Sequence, residues 1–88
     1  MSINEKKINS YKMLFGDNLK KLRESKGLSQ FELASTMNDI ASNSKIDKTT
    51  ISRIENGRTN VTLSTIIKLA LALEVELNEL FSFNLENS

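Results

Sequence analysis

A chain of 88 residues, 39% hydrophobic and 26% charged, has room for one modest core and sits inside the globular range, which excludes a multidomain machine and a disordered tail. With no cysteine and no histidine, disulfides, the usual structural zinc sites and thiol or imidazole catalysis are removed. The net charge of +1 hides an asymmetry, because residues 1–60 carry 11 Lys/Arg against 7 Asp/Glu while residues 61–88 carry 1 against 4.

A DNA-facing half joined to a DNA-averse half produces such a split, and so does a solvated surface with chance asymmetry. No apolar run approaches the roughly 18 residues of a membrane span, and the start, Met1 to Lys7, lacks the apolar core of a signal peptide. A cytoplasmic protein without membrane contact is expected.

In chain order, residues 1–11 are polar and aperiodic, which predicts a frayed tail or, as an alternative, an arm presenting Lys6 and Lys7 to a nucleic-acid groove. Phe15, Leu19 and Leu22 then mark the stripe of an amphipathic helix from about Lys12 to Lys26, stopped by Gly27 with Leu28 packing back on its last turn. Ser29-Gln30-Phe31-Glu32 is a capping box opening a second helix, whose Leu33, Ala34 and Met37 face inward. Gln30 at its first turn is either a surface helix former or a phosphate ligand. Residues 38–46 follow as a Ser/Asn-rich connection, with Ile40 and Ala41 extending the helical spacing and Ile46 as an apolar plug.

Asp47 caps a third helix from Lys48 to about Asn56, with Gly57 as its stop. Ile51 and Ile54 turn inward, leaving Lys48, Thr49, Ser52 and Arg53 on a face of two cations and two hydroxyls that suits base edges and phosphates. Thr62 caps a fourth helix from Leu63 to about Leu73 that is apolar on nearly every side, which predicts the most buried helix of the domain. After a break at 74–76, a last helix opens at Leu77. Phe83 and Leu85 come after the core should be full, so they read as a patch for a second subunit. Gly16, Gly27 and Gly57 all read as helix punctuation.

The motifs Leu28-Ser29-Gln30, Leu33-Ala34, Thr50-Ile51-Ser52-Arg53-Ile54-Glu55-Asn56-Gly57 and Leu77-Asn78-Glu79-Leu80-Phe81 together resemble Cro/repressor-type (XRE-like) helix-turn-helix DNA-binding domains, from about Phe15 to Phe81. The resemblance implies an all-α, five-helix, lambda-repressor-like domain over residues 12–83, between tails 1–11 and 84–88. One departure stands out: such domains join their two key helices by a turn of roughly four residues, whereas the 38–46 connection is longer. The resemblance further implies that Lys48, Thr49 and Arg53 read bases of a double-stranded operator, to which the shared face adds Ser52, that Gln30, Asn56 and Arg58 hold phosphates, and that Arg23 and Glu55 form a structural ion pair. It also implies a homodimer joined near Phe81, Phe83 and Leu85, with no cofactor or metal. Phage repressors, restriction-modification controllers and antitoxins all occur among such small regulators. The alternative function is a protein-interaction module of antitoxin type, with DNA contact secondary. An enzyme is not expected, because Asp17, Glu24, Asp39 and Asp47 are scattered and offer no acid/base pair.

Overall fold

The computed structural model describes residues 2–41 and 45–85. Residues 42–44 of the 38–46 connection and 86–88 of the expected C-terminal tail lie outside the described residues. Among the described residues the chain forms α1 (Ile3–Ser25), α2 (Gln30–Ile40), α3 (Lys48–Glu55), α4 (Leu63–Leu73) and a 3-10 turn (Leu77–Phe81).

Each α-helix starts where a side-chain oxygen takes a first-turn amide: Ser2 from Glu5, Ser29 from Glu32, Asp47 from Thr50 and Thr62 from Thr65. At Ser29 the box is reciprocal, because the Ser29 N–H also donates to Glu32 at 2.8 Å. The ends of α1 and α3 are Schellman turns. Leu28 N–H reaches the Arg23 carbonyl and Arg58 N–H the Arg53 carbonyl, with Gly27 and Gly57 taking the left-handed conformation at φ 73° and 68°.

Four expectations need correction. Residues 3–11, expected in a frayed tail, are helical, since α1 reaches back to Ile3. The Ser2 cap and Glu5 in the first turn nucleate it, and no helix breaker intervenes, although residues 2–9 stay exposed. The fifth helix is a 3-10 turn, giving four α-helices rather than five. The Asn18 amide nitrogen donates to the Glu79 and Leu80 carbonyls, both at 2.9 Å, taking acceptors that a longer helix would satisfy internally. Helix α4 is not buried all round, since Leu63, Ile67 and Leu71 are 66%, 41% and 56% exposed on one line four residues apart. Gly16 is not punctuation but a buried residue inside α1 where that helix crosses α3.

The core is one cluster. Leu19, Leu33, Met37, Ile51, Leu69, Leu73 and Leu80 are fully buried at its centre, with α2 against α4, α1 against α3, and the 3-10 turn closing over α1 and α4. Burying an aliphatic side chain of this kind stabilises the fold by roughly 1.5–3 kcal/mol. No described helix is long and apolar enough to cross a membrane.

Candidate nucleic-acid interface

Helix α3 is only eight residues long, too short to hold its shape alone, so its orientation depends on what it is fastened to. Ile51 and Ile54, 0% and 3% exposed, drive one side into the core. The other side carries Lys48, Thr49 and Arg53, all exposed, and half-buried Ser52. Four of the sequence-derived base-reading candidates are thereby brought to one face.

At the C-terminal end of α3 the fastening is electrostatic. Arg23 Nε donates to Glu55 Oε2 at 2.6 Å and Nη2 to Glu55 Oε1 at 3.1 Å, a two-pronged pair with both side chains out of water. Arg23 Nη1 adds a 2.7 Å bond to the Leu28 carbonyl, tying the α1 turn into the same group. The Glu55 hydrogen bonds, the largest effect, hold the Arg23 guanidinium above its already high pKa against the cost of its burial. Gln30 joins from α2, its Nε2 donating to Glu55 Oε1 at 3.0 Å. The first turn of α2 and the last turn of α3 therefore share one carboxylate. One Gln30 amide hydrogen is thereby committed inward, to Glu55.

At the N-terminal end, Asp47 Oδ1 accepts both the Thr50 N–H at 2.9 Å and the Thr50 hydroxyl at 3.0 Å. The bond from the Thr50 backbone is the main reason the Asp47 carboxyl sits below its ordinary range, with the positive charge of Arg53 a minor contribution. Just upstream lies a contact that sequence reasoning missed. The Asn38 side chain pairs with the backbone of Ile46 in both directions: Nδ2 donates to the Ile46 carbonyl at 2.8 Å and Oδ1 accepts the Ile46 N–H at 2.9 Å. An asparagine in the last turn of a helix, where its helix propensity is poor, ahead of an apolar plug was the only sequence signal.

The phosphate and dimer candidates are distributed differently. Arg58 is exposed just past α3. Asn56 Nδ2 is turned back onto the Ser52 carbonyl at 2.8 Å and the Ser52 hydroxyl at 3.4 Å, so it closes the helix end instead of offering a free donor. Phe81 is 47% exposed, and its ring centroid lies 5.2 Å from that of Phe15. Phe83 is half-buried against the core with its ring 6.5 Å from Phe81, and Leu85 is also half-buried. Phe83 packs against the core cluster, so the core was not yet full at Phe81. Among the described residues no group of His, Cys, Asp or Glu is placed to hold a metal.

Chemically, this is a compact face of cations and hydroxyls backed by a buried, fully hydrogen-bonded ion pair. Among the described residues no buried side-chain nitrogen or oxygen lacks a partner. A Helix-turn-helix family profile matches residues 19–80. The chain is 41% identical over 76 residues to a protein named Control protein C.MunI from Mycoplasma sp, covering 85% of this chain and 93% of that one. The crystal structure of the restriction-modification controller protein C.AhdI from Aeromonas hydrophila superposes with a TM-score of 0.73 at 38% identity, covering 83% of this chain and 96% of the other.

Proposed function

The chain belongs to the Helix-turn-helix family, as a DNA-binding transcriptional regulator of Cro/C1 (XRE-like) type and not an enzyme, and on that premise we propose that it is a sequence-specific, homodimeric operator binder. Helix α3 enters the major groove, with Lys48, Thr49, Ser52 and Arg53 at base edges and Arg53 bidentate to a guanine. Gln30 and Arg58 donate to flanking phosphates. Asn56 supports Ser52 from behind, and reaches a phosphate only by giving up that bond.

One observation carries this reading: the base-reading candidates share one side of a helix whose other side is locked by Ile51, Ile54 and the Arg23–Glu55 pair. The likeness to C.AhdI, a restriction-modification controller protein, and to the control protein C.MunI supports reading this chain as a controller of that kind. Dimerisation uses the acidic C-terminal half, where Phe81 and the Leu63, Ile67, Leu71 line of α4 leave apolar surface in water. Pairing there sets two α3 helices roughly 34 Å apart along the duplex.

The test is selection of bound duplexes from a random pool, followed by titration of the best duplex and a scrambled one at several salt concentrations. A two-fold symmetric site bound at least about a thousandfold more tightly than the scrambled duplex is expected. Arg53→Ala should remove most of that preference. Equal, weak and salt-sensitive binding to both duplexes would favour the protein-interaction alternative instead.

A further inference from the structure

Helix α3 is held at two ends by unlike devices. At its C-terminus the Glu55 carboxylate is gripped by Arg23 from α1 and Gln30 from α2. At its N-terminus, among the described residues, no ion pair joins it to α2. The only side-chain bonds described across the connection are the two between Asn38 and the Ile46 backbone, which close a loop between residues eight apart. Ile46 packs on the core and directly precedes the Asp47 cap, which in turn holds Thr50. An unbroken run of bonds thus leads from the last turn of α2 into the first turn of α3.

We propose that Asn38 is a positioning residue for sequence recognition: its carboxamide closes the long α2–α3 connection as a short turn would and sets the roll of the α3 N-terminus. The proposal rests on the reading of α3 as the groove-entering helix. The carboxamide suits the task because it offers a donor and an acceptor in one plane, as a peptide group does, so it pairs with the Ile46 backbone as a neighbouring strand would. Lys48 and Thr49 lie two and three residues beyond Ile46, so a small roll at that point moves them off their base edges. Ile51, Ile54 and Glu55 lie further along and keep their own partners. Asn38 therefore acts on base reading and leaves the general attraction to phosphates, which tolerates small displacements, nearly unchanged.

The experiment compares the full chain with Asn38→Ala and Asn38→Asp on the selected operator duplex and on its scrambled control, by fluorescence anisotropy at several salt concentrations. Helix content and melting temperature are followed by circular dichroism. Asn38→Asp keeps the acceptor for Ile46 N–H but sets a carboxylate against the Ile46 carbonyl. Both variants are expected to keep wild-type helix content, to lose about tenfold or more in operator affinity (~1.4 kcal/mol), and to bind the scrambled duplex within about twofold of wild type with the same salt slope. A parallel loss on both duplexes, no loss on either, or unfolding of both variants overturns the proposal. If the wild-type chain itself shows no operator preference, the failure belongs to the reading of α3 and is seen before any variant is made.

Discussion

Gly16 of α1 lies directly against the backbone carbonyl of Ile54 in α3. A Cβ placed on Gly16 would meet the Ile54 carbonyl oxygen inside any real contact distance and would stand 2.5 Å from the carbonyl oxygen of Glu55. The two helices approach this closely only because one lacks a side chain at the crossing. The crossing thus brings α1 against the backbone of Glu55, whose side chain pairs with Arg23 from the same helix α1.

Gly16→Ala is therefore expected to destabilise the fold although alanine is the better helix former. The gain in helix propensity is about 1 kcal/mol. The clash is with backbone rather than with the end of a flexible side chain, so α3 itself must move, at a cost of roughly 1–3 kcal/mol in strain plus lost contacts. A lowered melting temperature and weakened operator binding are the readouts. An unchanged melting temperature would show that the helices separate without penalty.

Glu55→Gln leaves Arg23 charged and buried with neutral acceptors alone. Breaking a buried pair from one side costs on the order of 3–5 kcal/mol, and retention of the Leu28 carbonyl and the glutamine oxygen as acceptors puts this substitution near the lower figure. Against a total stability of roughly 5–15 kcal/mol for a small domain, that is a large fraction. Urea unfolding should show a clearly lower midpoint, and an unchanged midpoint would remove the structural role assigned to the pair.

Acid should loosen two helix starts. Hydrogen bonds from Thr50 to Asp47, and from Ser29 to Glu32, hold both carboxyls below their ordinary range, which means that the native state prefers them ionised. Their stabilisation is thus complete above the unfolded values, about 4, and fades as pH falls through and below them. Melting temperature is expected to stay level between neutral pH and about 5, then to fall. Asp47→Asn keeps a capping oxygen that does not titrate, so its acid-side decline should be shallower than that of wild type; an identical decline would show that the α3 cap does not couple to pH.

Leu71→Glu places a charge on the exposed apolar line of α4 without touching the core. Sedimentation equilibrium is expected to show dimer for the wild-type chain and monomer for the variant, with unchanged helix content. Operator binding should fall sharply, because one half-site alone supplies only part of the base and phosphate contacts. A variant that still sediments as a dimer would place the interface elsewhere, with Phe81→Glu the next substitution to make.

Local chemistry was legible in the chain itself. The caps Ser29, Asp47 and Thr62 and the stops Gly27 and Gly57 depend on bonds that span at most five residues, so residue type and spacing suffice to determine them. The same holds for the shared face of Lys48, Thr49, Ser52 and Arg53, since helical periodicity opposes it to Ile51 and Ile54. Arg23 and Glu55 were paired by family resemblance, not by spacing, because 32 residues separate them. Tertiary structure alone decided the rest. Whether Gly16 is a helix end or a crossing depends on the path of α3, and whether Leu63, Ile67 and Leu71 are buried depends on which side of α4 the other helices cover. An apolar residue reports a preference for burial, but not whether a neighbour arrives to satisfy it. The clamp of Asn38 on Ile46 is of the same kind: a polar side chain has many partners within reach, and only the folded path of the chain selects one.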